Sequence, residues 1–317
     1  MTQSILQQTI SLLKPFLWPK NNSSLKNRVL LAILCLLLAK AASLGTPPIL
    51  GYAVDSLTEV SEGINLYMFV PLALIVSYGF VRISSIVFGE LRNAIFSKVT
   101  QRAISQLTLN TFKHLHSLSL KFHLGRQTGA LSKFIDRGSK GINFLLTYVL
   151  FNVIPTIIEI FFVAGILAII YGIKYALVTL VTIGIYVAIT FTITQWRLKF
   201  RRQMNEADNA VSTKLVDSLL NFETVKYFNN EEHEFNRLNE SLTKYESASI
   251  TNQYTLSYLN IAQTVVIMAG IIIMLMMSAY DIKAGAISIG GFVVINAYML
   301  QLYQPLNFFG TVYREIR

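Results

Sequence analysis

Long apolar runs alternate with polar stretches along this chain. Six runs are long enough to matter: about 29–54, 66–88, 142–170, 175–194, 256–277 and 287–309. A helix of roughly 20 apolar residues crosses the hydrocarbon core of a bilayer, so each run is predicted to be a membrane-spanning helix. The polar stretches do not read as loops. From residue 89 to 120, Leu91, Ile95, Val99, Ala103, Leu107 and Phe112 recur at helical spacing, and the same periodicity runs from 204 to 220 and from 235 to 254. At about 1.5 Å per residue, these helices are predicted to project tens of ångströms beyond the membrane. Two polar breaks interrupt them. One lies at 123–129, with Gly125, Arg126 and Gly129, and the other at 221–231, with Thr224, Lys226 and Tyr227. The pattern predicts an all-α membrane protein of six long helices with cytoplasmic extensions.

Charge sets the orientation. The arm at 1–26 carries Lys14, Lys20 and Lys26 and no acid, and Arg28 follows it. The connection after the first run has Asp55, Glu59 and Glu62 and no base, whereas the two long connections are rich in Lys and Arg. Positive segments stay in the cytoplasm, so both termini and both long connections are predicted there. Within the arm, Ile5, Leu6, Ile10, Leu13 and Phe16 recur at roughly helical spacing beside Trp18 and Lys20, the pattern of a short helix lying in the membrane interface. It reads neither as a secretory signal, lacking a small-residue cleavage site, nor as a mitochondrial presequence, lacking Arg. The expected location is a bacterial inner membrane, with the mitochondrial inner membrane as the alternative.

Composition adds exclusions. The chain is 53% hydrophobic and 14% charged with a formal net charge of +10; its mean hydropathy is +0.50. The bases sit in blocks between apolar runs rather than on a soluble face, which argues against nucleic-acid binding. Cys35, the only cysteine, lies in an apolar run, so there is neither an intrachain disulfide nor a cysteine metal cage. His114 and His116 are two apart and point to different sides of a helix, and no acid near them completes a metal shell.

The candidate chemistry begins where the fourth run gives way to charge, at QWRLKFRRQMNEADNA, residues 195–210. Arg197 and Arg201 are four apart and share a helical face. Two readings stand: a positive anchor at the membrane surface, or a pair that grips a carboxylate or phosphate through forked hydrogen bonds. On the fifth run Asn260 and Gln263, three apart, share a face and suit either a ligand or helix–helix hydrogen bonding. Lys40 and Glu159 lie inside apolar runs, where ionisable groups usually pair; pairing with each other is expected over a proton-carrying role. Pro47, Pro48 and Pro155 are expected to bend their helices.

Three stretches carry a family resemblance: FHLGRQTGALSKFIDRG at 122–138, WRLKFRRQMNEADNAVSTKLVDSLLNFETVKYFNNEEHE at 196–234, and LQLYQPLNFFGTVYREIR at 300–317. They resemble the transmembrane domain of a type IV ABC exporter half-transporter, of the mitochondrial-type and bacterial exporters of heavy metals and glutathione derivatives. The resemblance implies a homodimer whose subunits exchange two helices, with residues 27–317 forming the transmembrane domain. The breaks holding Gly125, Arg126 and Gly129, and Thr224, Lys226 and Tyr227, would be coupling helices docked on nucleotide-binding domains. It also implies that Arg197 and Arg201 bind glutathione carboxylates and that Asn260, Gln263, Tyr186, Gly310 and Arg314 contact substrate, with Asn307 and Phe308 nearby. No phosphate loop of the form G-x-x-x-x-G-K-[ST] occurs in these residues. No catalytic residue or cofactor is therefore expected here. ATP and Mg2+ would bind an associated nucleotide-binding domain, expected in a longer chain rather than a separate subunit. The rival readings are a lipid, peptide or multidrug exporter of the same architecture and a non-transporting membrane scaffold. A metal-ion channel is disfavoured because no ring of carboxylates lines a run.

Overall fold

The computed structural model describes residues 23–59, 68–120, 122 and 138–316, with side chains described up to 306 in the last helix. Among the described residues there is no β-strand. The helices are α1, Ser23–Glu59; α2, Phe69–His116; α3, Gly138–Ile170; α4, Ile173–Leu220; α5, Phe222–Tyr227; α6, Glu231–Lys283; and α7, Ile289–Ile316. Five of them, α1 to α4 and α6, are long and apolar enough to cross a membrane. At 48 residues, α2 and α4 are each about 70 Å long by helical rise. That is more than twice a hydrocarbon core of about 30 Å, which the helical spacing beyond the apolar runs anticipates. The first break, with Gly125, Arg126 and Gly129, and most of the N-terminal arm lie outside the described residues.

The chain divides into two compact units. The first comprises the residues up to 177 and those from 273 onward. Here α1 packs along α2 and α7, and α3 packs on α7 and α1. Helix α3 contains a π-helical stretch, Leu145–Val153, that ends just before Pro155. Prolines leave orphan carbonyls, because each removes the N–H that would bond four residues back. For Pro48 and Pro155 another helix supplies a donor. The carbonyl of Leu44, four before Pro48, accepts from Tyr298 Oη of α7 at 2.8 Å. The carbonyl of Phe151, four before Pro155, accepts from Arg92 Nη1 of α2 at 3.2 Å, with the guanidinium 5.3 Å from the Phe151 ring centre.

The start of α7 is capped across the bundle. Asp55 of α1 accepts from Gly290 N and Ser288 Oγ, each at 2.7 Å, satisfying donors that a helix N-terminus leaves open and complementing its partial positive charge. A side chain on Gly290 would collide with the Gly51 carbonyl and the Asp55 carboxylate, so the two backbones approach this closely only because both positions are glycine. Nearby in sequence, Asp281 accepts from Lys174 Nζ and Tyr175 Oη, each at 2.7 Å, joining the end of α6 to the start of α4.

The second unit, residues 178–272, is an antiparallel pair made from α4 and α6 with α5 at its tip. Its register is read from cross-helix contacts: Thr182 with Gly270, Thr190 with Gln263, Arg197 with Thr255, and Lys214 with Arg237. The chain reverses through α5, after which Asn229 takes a left-handed conformation at φ 50°, which Asn tolerates. Glu231, Glu232 and Glu234 then occupy the first turn of α6, where carboxylates suit the helix dipole.

Candidate substrate-binding site

The pair of helices in the second unit is held by two rungs built the same way. In each, a threonine hydroxyl commits its proton to a carbonyl of its own helix and so presents lone pairs across the gap. Thr190 donates to the Tyr186 carbonyl at 2.7 Å and accepts from Gln263 Nε2 at 2.8 Å. Thr255 donates to the Asn252 carbonyl at 2.7 Å and accepts from Arg197 Nε at 3.2 Å. Thr190 and Arg197 are seven apart on α4, and Thr255 and Gln263 eight apart on α6. Each spacing is about two helical turns, so the rungs stack on one seam.

Arg197 is only 5% exposed. A buried guanidinium is costly unless hydrogen-bonded, and Thr255 is one of its fixed partners. Arg201, one turn further along α4, is half-buried, and Arg202 is exposed. One turn from the rung on either helix lies a buried polar atom without a hydrogen-bond partner: Thr194 Oγ1 on α4 and Asn252 Oδ1 on α6. Such groups cost about 1–3 kcal/mol each when left unmet. The region beside Arg197 therefore combines a fixed cation, a second guanidinium, an unmet hydroxyl at Thr194 and an unmet acceptor at Asn252 Oδ1, a set that suits a ligand carrying both carboxylates and N–H donors.

The other expected residues distribute unevenly. Gln263 is buried in its rung, so helix–helix bonding accounts for its amide. Asn260 is exposed. The shared face expected for the two therefore splits, because three residues turn a helix to about 60° short of a full circle and α4 covers only Gln263. Tyr186 is completely buried. Gly310 and Arg314 fall within α7, beyond its described side chains, as do Asn307 and Phe308. At the tip, α5 has no buried residue; Thr224, Lys226 and Tyr227 are exposed, with Lys226 bonded to Glu231 at 2.7 Å.

In the first unit, Lys40 and Glu159 pair as expected at 2.5 Å. The other carboxylate oxygen accepts from Gln301 Nε2 at 2.6 Å, and the same amide reaches Ser43 Oγ at 2.9 Å. Sequence reasoning missed Gln301 here and both rung threonines. Polar residues at helical spacing within an apolar run were the available signal for Gln301. Threonine carries none, since it bonds back to its own helix as readily in lipid as in a rung.

Five of the described helices are long and apolar enough to cross a membrane, and this chain belongs to the ABC transporter transmembrane region family, which matches residues 29–306. It is 42% identical over 323 residues to the human protein named iron-sulfur clusters transporter ABCB7, mitochondrial, covering 100% of this chain and 42% of that protein. It is 45% identical over 303 residues to the Chaetomium globosum iron-sulfur clusters transporter ATM1, mitochondrial, covering 95% of this chain and 50% of that protein. A solved bacterial Atm1-family ABC exporter with ATP bound superimposes with a TM-score of 0.81 at 39% identity, covering 94% of this chain and 52% of that one. The chain thus spans about half the length, or less, of these relatives. It is a multi-pass membrane protein with an ABC exporter fold.

Proposed function

We propose that this chain is the membrane-spanning part of an ATP-driven exporter that moves glutathione derivatives, or metal held by such thiols, out of the cytoplasm. The observation that carries the reading is Arg197, buried and fixed on Thr255, with Arg201 one turn on and unmet polar atoms on both flanks. Two planar cations one turn apart suit a ligand with two carboxylates. The relatives named as iron–sulfur cluster transporters favour the same chemistry. Such clusters are held by thiolates, and the lone Cys35 is buried in α1. A thiol-bearing carrier would bring the thiolates and offer its carboxylates to the arginines.

Six spans, a homodimer with exchanged helices, and cytoplasmic termini complete the architecture in this reading. ATP and Mg2+ bind nucleotide-binding domains, in the same longer chain or a separate subunit, and α5 docks on them through its exposed Tyr227 and neighbouring Phe228. Closure of those domains biases a two-state equilibrium between inward-open and outward-open bundles. Cargo enters facing the arginines and loses them as the walls part. The membrane is a bacterial inner membrane or a mitochondrial inner membrane.

The test is ATP-dependent uptake of oxidised glutathione into inverted vesicles holding the full-length transporter. Uptake is expected, and it falls at least tenfold in Arg197→Ala and Arg201→Ala. Uptake of lipid or a hydrophobic drug with no response to glutathione would favour the rival exporter reading. Absence of any ATP-driven flux would favour the scaffold.

A further inference from the structure

The first unit contains a second polar cavity that the cargo reading does not use. It measures about 590 Å3, is open on one side, and is lined by residues of α1, α2, α3 and α7. That is within the few hundred to a thousand cubic ångströms typical of small-molecule sites. Its walls include Lys40, Tyr78, Arg82, Asn152, Glu159 and Gln301, side chains that are costly inside a membrane bundle unless matched.

Accounting for the charges leaves one over. The Glu159 carboxylate is fully engaged, by Lys40 on one oxygen and Gln301 on the other. Arg82 is exposed on the cavity wall, and among the described residues no hydrogen bond or ion pair reaches it. With Lys40 and Glu159 cancelling, the cavity carries one unbalanced positive charge.

An arginine near the end of an apolar run commonly serves as a surface anchor. Its position on α2 argues otherwise here. Tyr78, Arg82 and Ser85 fall at i, i+4 and i+7, one helical face, and Ser85 Oγ donates to the Ala39 carbonyl of α1 at 3.0 Å. That face therefore runs alongside α1, with Arg82 on the open wall of the cavity. Tyr78, one turn from Arg82, and Asn152 of α3 add neutral donors on the same cavity.

We propose that this cavity is an anion subsite, and that its occupant is the carboxylate of a water-soluble organic anion held by Arg82. The Lys40–Glu159–Gln301 cluster is its positioning frame. The site shares no residue with the Arg197 region and stands whether or not glutathione is the cargo.

The experiment uses the full-length dimer in nanodiscs of phosphatidylcholine, with glutarate as the probe. Phenylglyoxal modification of Arg82 is followed by mass spectrometry, and glutarate affinity by calorimetry. Glutarate is expected to protect Arg82 in the wild-type protein and to keep doing so in Arg201→Ala, while Arg82→Gln weakens this binding at least tenfold. Because protection is read on unmodified sequence, it remains decisive if Arg82→Gln fails to assemble. Arg82 labelling that ignores glutarate overturns the proposal. So does protection that vanishes with Arg201→Ala, which would make the two regions one site. Protection by one-fifth phosphatidylglycerol in the absence of glutarate would identify a headgroup phosphate as the occupant and overturn the soluble-anion assignment.

Discussion

Replacing Thr255 by Val tests whether the Arg197 rung is real. Valine keeps the shape of threonine but removes the hydroxyl, so packing between α4 and α6 is almost unchanged while Arg197 Nε loses an acceptor 3.2 Å away. Hydrogen bonds to charged groups contribute about 1.5–3 kcal/mol, and a buried donor left unmet carries a further desolvation penalty. With Arg197 only 5% exposed, water cannot easily replace the lost partner, so a loss of about 2 kcal/mol is expected. The assay is thermal unfolding of the full-length protein in nanodiscs, run as a double-mutant cycle with Arg197→Met. Removing both polar partners is expected to cost less than the sum of the single changes, with a coupling of about 1 kcal/mol or more. Thr243→Val is the control, because its exposed hydroxyl bonds only to the Asn239 carbonyl of its own helix. Thr255→Val behaving like Thr243→Val, with no coupling in the cycle, would mean that the Arg197–Thr255 bond does not hold the two helices together.

Three further outcomes follow from named contacts. Lys40→Met leaves Glu159 buried without its cation, which should cost about 3–5 kcal/mol, whereas Lys40→Met with Glu159→Met should be much milder; equal losses in thermal unfolding would contradict the pairing. Gly270→Ala would improve helix propensity by about 1 kcal/mol, but its new Cβ would meet the Thr182 side chain at 2.5–3.1 Å, an overpacking cost of about 1–3 kcal/mol. Adding Thr182→Ala should therefore turn Gly270→Ala from neutral or destabilising to stabilising. Finally, hydrogen bonds from Lys174 and Tyr175 hold the Asp281 carboxyl below its ordinary value. A depressed carboxyl contributes stability that is present above its unfolded pKa, about 3.9, and is lost as pH falls through the lower folded value. The gap in unfolding temperature between wild type and Asp281→Asn should accordingly be full at about pH 6 and close well below pH 4, and a gap independent of pH would refute the assignment.

What the sequence revealed depended on how local each signal was. The long helices were legible because Leu91, Ile95, Val99 and their successors keep helical spacing past the apolar run, and α2 indeed runs to His116. The break around 221–231 was legible because polar residues interrupt that spacing, and α5 occupies it. The Lys40–Glu159 pair was legible because lipid tolerates few unpaired charges. The contrast between Asn260 and Gln263 was not, since it depends on the rotation of α6 against α4, which spacing on one helix does not determine. Nor was the Asp55 cap on α7, whose partners are 233 and 235 residues away in the chain. The prolines were visible, but Tyr298 and Arg92, which satisfy the carbonyls they orphan, come from other helices.

In the proposed function, the guanidiniums of Arg197 and Arg201 select an acidic cargo. Direct titration of oxidised glutathione into the full-length dimer, with and without Arg197→Ala and Arg201→Ala, measures this most simply. Saturable binding is expected, weakened at least tenfold by each substitution and weakened also by raised salt. Binding of equal strength in both variants would mean that these cations anchor the helix at the membrane surface and leave cargo selection to other residues.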